Sequence, residues 1–167
     1  ALPAIAAKPF RDRFESLKPR VSAPKYRIAL FSGCVQDFVY PEQLEAAVKV
    51  LAAHNVAVDF PMDQSCCGLP LQMMGEKKAG VDVAQQNIAA MSGNYDYIIT
   101  LCASCASHLK HNYPFLLGED NAEAKAFAEK VIPFSAFMTD VLGVTADKFK
   151  QTQERAALHA PCHLCRG

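Results

Sequence analysis

Residues 96–105 read DYIITLCASC: a run rich in β-branched and aromatic side chains that stops on two thiols spaced three apart. Such a run predicts a short buried strand, and Ala-Ser-Cys after it predicts a turn into a helix. The same form recurs on either side. RIALFSGC (27–34) ends on Cys34, VAVDF (56–60) is followed by Cys66 and Cys67, and RAALHAPCHLC (155–165) ends on Cys162 and Cys165. Four strands are therefore expected at 27–32, 56–60, 96–101 and 155–160, separated by 23, 35 and 53 residues. Each gap can hold a crossover helix, which parallel pairing requires. The expected fold is α/β: three layers, with a mostly parallel four-stranded sheet between crossover helices.

The gaps carry helical periodicity. Leu44, Ala47, Val48, Leu51 and Ala52 form one apolar stripe, with Pro41 suited to the first turn. Val81, Ala84, Ile88 and Met91 form a second from near Gly75, and Phe134, Phe137, Met138, Val141 and Leu142 a third before Gly143. On this layout all seven cysteines lie beyond the carboxyl end of a strand. Those ends share one edge of a parallel sheet, the edge at which ligands bind.

The 167 residues are 51% apolar, enough for one ordinary core and too many for a disordered chain. Seventeen basic residues balance seventeen acidic ones, so no global field favours nucleic acid. That balance is uneven along the chain. Residues 1–27 hold Lys8, Arg11, Arg13, Lys18, Arg20, Lys25 and Arg27 against Asp12 and Glu15, a surplus of five positive charges that leaves five negative on the remainder. With Pro3, Pro9, Pro19 and Pro24 interrupting it, 1–26 reads as a basic linker or arm, either a solvated tether or a dock for an acidic partner. Apolar runs are broken by Lys49, His54 and Asp59 before reaching membrane-spanning length, and ALPAIAA is no secretory signal. With no initiating Met, the chain reads as a fragment or processed product. An odd number of cysteines in a chain with a full core favours thiol or metal chemistry over a disulfide scaffold. No glycine fingerprint for a dinucleotide and no Ser-His-Asp set is recognisable.

The thiol spacing discriminates among metals. Zinc takes four ligands at one point, and five thiols before Cys162 overshoot it. Adjacent residues in extended chain face opposite ways, so Cys66 and Cys67 suit a cluster that offers them separate irons, with Gly68 and Pro70 supplying the turn. A thioredoxin-like exchange site at CASC is an alternative, but it leaves Cys34, Cys66 and Cys67 without a role.

GCVQDFVYPE, VDFPMDQSCCGLP, CASCASHLKHNYP and HAPCHLCRG together resemble the CCG, or cysteine-rich, domain of iron–sulfur subunits. That family includes the cysteine-rich subunit of heterodisulfide reductase and the iron–sulfur subunits of glycolate oxidation, of lactate oxidation and of anaerobic glycerol-3-phosphate dehydrogenase. The resemblance spans 27–167. It implies a non-cubane [4Fe–4S] cluster held by Cys34, Cys66, Cys67, Cys102 and Cys105, with 27–161 as a first CCG domain and 162–167 as the truncated start of a second. It further implies electron transfer in a complex oxidising a 2-hydroxy acid, lactate or glycolate. The partners would be a flavin-dependent dehydrogenase subunit and other iron–sulfur domains, passing electrons to a quinone or other carrier, in the cytoplasm or at the inner face of the membrane. Two alternatives stand beside it: cluster-catalysed disulfide reduction, and a zinc-binding interaction module. Without the cluster, a Cys102–Cys105 disulfide is expected.

Other polar residues carry weaker expectations. Cys162, His163 and Cys165 are further candidate ligands, His163 equally a hydrogen-bonding neighbour of the site. His108 and His111 are expected at the surface or a helix C-terminus, and His54 as a helix C-cap. Ser65 and Ser104 are candidate donors to cluster sulfur, and Met73 and Met74 are expected to fill gaps in the core.

Overall fold

The computed structural model describes residues 3–150 and 152–166, the side chains of Cys165 and Arg166 excepted. Strands β1 (Tyr26–Phe31), β2 (Val56–Asp59), β3 (Tyr97–Thr100) and β4 (Val131–Pro133) form one all-parallel sheet in the order β2-β1-β3-β4. Around it lie α1 (Phe14–Leu17), α2 (Gly33–Phe38), α3 (Pro41–Ala53), α4 (Leu69–Met73), α5 (Lys77–Ala90), α6 (Ala103–Ser107), α7 (Tyr113–Leu117), α8 (Ala122–Lys130), α9 (Phe134–Ala136) and α10 (Cys162–Arg166). Among the described residues no helix is long and apolar enough to cross a membrane.

Side chains alternate across the central strand and divide the core in two. Ile28 and Leu30 pack with Leu44, Val48 and Leu51 of α3, while Ala29 and Phe31 pack on the opposite face with Ala84 and Ile88 of α5 and Tyr113 of α7. The expected α/β, three-layer architecture is therefore present. Pro41 opens α3 and His54 caps its carboxyl end, as their sequence positions suggest.

The fourth strand is not where sequence patterning puts it. Residues 152–160, RAALHA included, are exposed and without regular structure. The edge of β3 is instead completed by Val131, Ile132 and Pro133, which pair with Ile98, Ile99 and Thr100. Three residues are too short to show a period of two, and they follow α8 with no intervening turn signal. Pro133 fits because β4 is an edge strand.

The basic segment is no solvated tether in its central part. Phe10 and Phe14 are buried at 0% and 1% exposure and pack on the α3 face of the sheet beside Phe60. Burying each ring stabilises the fold by about 2–3 kcal/mol. The cations beside them meet the acidic body: Arg11 pairs with Asp37 at 2.8 Å, Arg13 with Glu45 at 2.8 Å and Lys18 with Asp59 at 2.6 Å. Met73 and Met74 fill no gap; they are 79% and 76% exposed.

Candidate functional site

Each of the first three strands delivers thiols at its carboxyl end. β1 runs through Ser32 into Gly33, whose φ of +67° turns the chain into α2 and places Cys34 in its first turn. A side chain at Gly33 would meet the Cys105 sulfur at 3.0 Å, so only glycine lets these two loops approach. After β2, the loop carrying Cys66 and Cys67 turns at Gly68, where φ is +88°, into α4. After β3, Cys102 caps α6 and accepts a 3.5 Å hydrogen bond from the Cys105 N–H.

The Cys66–Cys67 loop is anchored from both sides. Buried Gln64 ties it to β1: its Oε1 accepts from the Ser32 N–H at 2.9 Å, and its Nε2 donates to the Leu30 carbonyl at 3.0 Å. From α5, buried Asn87 accepts the Ser65 N–H at 2.9 Å and donates to the Cys66 carbonyl and the Tyr113 hydroxyl, each at 2.9 Å. Tyr113 in turn donates to the Cys67 carbonyl at 2.9 Å. Sequence reading missed all three residues. For Asn87 there was a signal, since a polar residue three after Ala84 falls on the apolar stripe of α5.

The five thiols form one connected set. Cys66 and Cys67, Cys67 and Cys105, and Cys105 and Cys102 lie close enough to shift one another's ionisation as thiol–thiolate neighbours, and Cys34 acts on Cys66 through charge alone. Cys67 and Cys105 are buried, Cys66 and Cys102 half-buried, and Cys34 is exposed; all five, with Cys162, are free thiols. The expected Cys102–Cys105 disulfide is absent. Hydrogen bonds from Cys105 and then Cys66, with the Leu69 N–H and nearby His108, hold Cys67 down to about 3 despite its burial. Cys102 is lowered to about 6, first by Cys105 and then by the N–H groups of its own helix turn. Cys66 and Cys105 move up, first because they donate to those thiolates and next because they are buried. Close-set sulfur donors, with Cys67 and Cys102 shifted toward the thiolate, are a set suited to soft metal.

His108 is not at the surface. It is 1% exposed, edge-on to Tyr113, and its Nδ1 lies 2.9 Å from the Asn112 amide nitrogen. His111 is exposed, as expected. Ser65 turns toward Asn87 and the Cys66 carbonyl, and Ser104 lies 3.0 Å from His163 Nδ1. Neither serine's described contact is with a thiol. α10 packs on α6, bringing His163 to the CASC turn while Cys162 stays exposed; the Cys165 side chain lies outside the described residues. Past Cys34 and Cys66 opens a cleft of about 480 Å³ lined also by Arg11, Phe38, Met62 and Gln86.

The residues fit a sulfur-ligated cluster. Gly33 leaves open the space beside the Cys105 sulfur, and next to it Gln36 Oε1 is buried with no hydrogen-bond partner, the sole such side-chain atom found among the described residues. Leaving an acceptor unmade costs about 1–3 kcal/mol, a cost more often met where a site is built for something else. Among the described residues, no three His, Cys, Asp or Glu side chains are placed around one ion, so the zinc expectation gains no support. Cys102 has the lowered pKa that a two-thiol exchange site would use, but its connections run on to Cys67, Cys66 and Cys34.

The family model described as a cysteine-rich domain, CCG, matches residues 28–110. Among curated proteins the chain is 37% identical over 144 residues to a subunit of the CoM/CoB fumarate reductase of Methanothermobacter marburgensis, covering 86% of this chain and 27% of that one. It is 36% identical over 143 residues to lactate utilization protein A of Geobacillus kaustophilus, covering 84% and 59%. It is 31% identical over 150 residues to the probable glycolate oxidase iron-sulfur subunit of Bacillus subtilis, covering 87% and 34%. The chain thus spans between about a quarter and three fifths of the length of these relatives. No solved structure matches it significantly.

Proposed function

The chain belongs to the CCG family of cysteine-rich domains, and from that premise we propose that Cys34, Cys66, Cys67, Cys102 and Cys105 hold an iron–sulfur cluster of the non-cubane [4Fe–4S] type. The observation that carries this reading is the convergence of five connected thiols from three strand ends on one edge of the sheet. When bound, the cluster supplies one-electron chemistry. The protein's own contribution is positional: Gln64, Asn87 and Tyr113 fix the paired-cysteine loop, Gly33 and Gly68 clear space, and the surroundings of Cys67 and Cys102 favour the thiolate.

The domain serves as an electron relay in an iron–sulfur subunit of 2-hydroxy-acid oxidation, lactate or glycolate being the substrate of the whole complex. The names of the Geobacillus and Bacillus relatives support that class. A flavin-dependent dehydrogenase subunit is the donor, and a quinone or other carrier the acceptor, with the complex in the cytoplasm or at the inner face of the membrane. Cys162, His163 and Cys165 belong to a second motif that this chain begins. One observation favours a second reading, cluster-catalysed disulfide reduction: exposed Cys34 and half-buried Cys66 border an open cleft large enough for a small molecule.

The test is iron, acid-labile sulfide and zinc content of anaerobically prepared protein, with visible and low-temperature EPR spectra, for the parent chain, Cys34→Ala and Cys67→Ala. About four irons with sulfide, lost in both variants, is the expected result. One tightly bound zinc with no iron, unaffected by either substitution, would overturn the cluster. Turnover of a small disulfide by the loaded protein would replace the relay with the second reading.

A further inference from the structure

Sulfur atoms in a pocket of this kind accept hydrogen bonds as well as binding metal, and the two serines expected to donate them face elsewhere. Two other side chains are placed for it. His108 is buried on the helical run that follows Cys105, and Asn112 Nδ2 directs one hydrogen to Gln72 Oε1 at 3.0 Å and the other to His108 Nδ1 at 2.9 Å. An amide nitrogen only donates, so His108 Nδ1 is the acceptor and the ring proton sits on Nε2. That nitrogen lies against the Gly68 turn, 3.8 Å from where a side chain there would begin. At Gly33, Gln36 has a buried, unpartnered amide oxygen 3.8 Å from the corresponding point, a point itself 3.0 Å from the Cys105 sulfur. Turning that amide over puts its N–H groups into the same space.

We propose that His108 Nε2–H, beside Cys67, and the Gln36 amide, beside Cys105, donate hydrogen bonds to the sulfur atoms of the cluster and that they set its reduction potential. This rests on the cluster reading above. Each reduction adds negative charge to the sulfur atoms, and a donor stabilises the more negative state, so the two residues raise the potential. Both are positioning and tuning residues; neither is a ligand. A neutral imidazole held by Asn112 donates without adding a positive charge, and the Gln36 amide carries none.

The experiment compares parent protein, His108→Leu, His108→Gln, Gln36→Leu and Gln36→Glu, all prepared anaerobically. Iron and sulfide are counted first, then the midpoint potential is titrated by EPR, and ¹⁵N-histidine-labelled protein is examined by pulsed EPR for nitrogen coupling across an N–H···S bond. With cluster content unchanged, His108→Leu and Gln36→Leu each lower the reduced-to-oxidised ratio at fixed poise about tenfold, 59 mV for a one-electron couple. His108→Gln, which keeps an N–H, recovers part of that shift, and Gln36→Glu, which loses both N–H groups and adds charge, falls below Gln36→Leu. The histidine coupling disappears in His108→Leu. Unchanged potentials with no histidine coupling in the parent protein would overturn this proposal and leave the cluster reading intact. A parent chain without iron would overturn the cluster reading itself. If His108→Leu loses its cluster, the Gln36 pair and the labelled parent decide alone.

Discussion

Replacing Tyr113 with Phe removes one oxygen atom and tests how the paired-cysteine loop is held. The ring stays, stacked on Phe127 at 5.6 Å and edge-on to His108 at 5.5 Å, so packing changes little. Lost are the 2.9 Å bond to the Cys67 carbonyl and the 2.9 Å bond received from Asn87. One Asn87 N–H and one carbonyl are then left without this partner inside the protein, each worth about 1–3 kcal/mol, offset in part because a hydroxyl no longer has to be buried. The expected net loss is about 2 kcal/mol, or a fall in Tm of roughly 4–8 °C for a chain of this size. Burial, first among its causes, pushes the Tyr113 hydroxyl above its ordinary pKa, so the loss is the same from about pH 6 to about pH 9. Urea unfolding of reduced, metal-free protein followed by circular dichroism measures it, with iron content after reconstitution as the companion reading. A loss below about 0.5 kcal/mol would refute the claim that this hydroxyl holds the loop; a full loss with undiminished iron uptake would separate stability from ligand placement.

Phe10→Ala should cost about 3–5 kcal/mol and expose the preceding segment to protease, whereas a true tether would give no change in unfolding midpoint. Gly33→Ala should abolish or sharply reduce iron binding, because its φ of +67° and the Cys105 sulfur at 3.0 Å both exclude a side chain; Gly75→Ala, with φ of +81° but open space, is the control that should keep iron. In metal-free protein Cys102 should alkylate with a half-point near pH 6, and a half-point near the ordinary thiol value of about 9 would contradict its lowered pKa. Since its pKa is lower folded than unfolded, its contribution to stability is complete above the unfolded value, about 9, and disappears as pH falls toward about 6. Denaturant midpoints of the parent chain and Cys102→Ser across that window check the sign.

Local signals made part of this molecule legible. Strands β1 to β3 carry β-branched runs, α3 and α5 carry stripes, and a thiol at the end of each of those strands needs only parallel topology to reach the common edge. What stayed hidden depends on contacts distant in sequence. Gln64 is locked to Ser32, 32 residues away, and Tyr113 to Cys67, 46 residues away, distances at which no periodicity helps. β4 was missed because three residues show no alternation and α8 runs straight into it. The burial of Phe10 and Phe14 was masked by the prolines and cations around them, which read as linker. His108 reads as a surface residue because it shares a helix face with His111 and no carboxylate is placed beside them; the turn at Gly68 and the ring of Tyr113 decide that it faces in while His111 stays exposed.

The arm and the exposed thiol of α2 are linked by the same physics. A helix of six residues is too short to hold its shape alone, yet α2 presents Cys34 on a side open to solvent. Its inward residue is Asp37, whose side chain is 1% exposed and would be costly to bury unpaired. Arg11 supplies both its backbone N–H, at 3.0 Å, and its guanidinium, at 2.8 Å, and Phe10 beside it is sunk in the core. Meanwhile the guanidinium lies over the Phe38 ring at 5.1 Å, at the far end of the same helix. Asp37 stands three residues after Cys34, where HAPCHLCRG has Cys165 three after Cys162. A carboxylate at that position recruits the arm, and a thiol could not do so through the same ion pair. The positive surplus of the first 27 residues is thus in part an internal counter-charge that fixes the first ligand helix against the sheet.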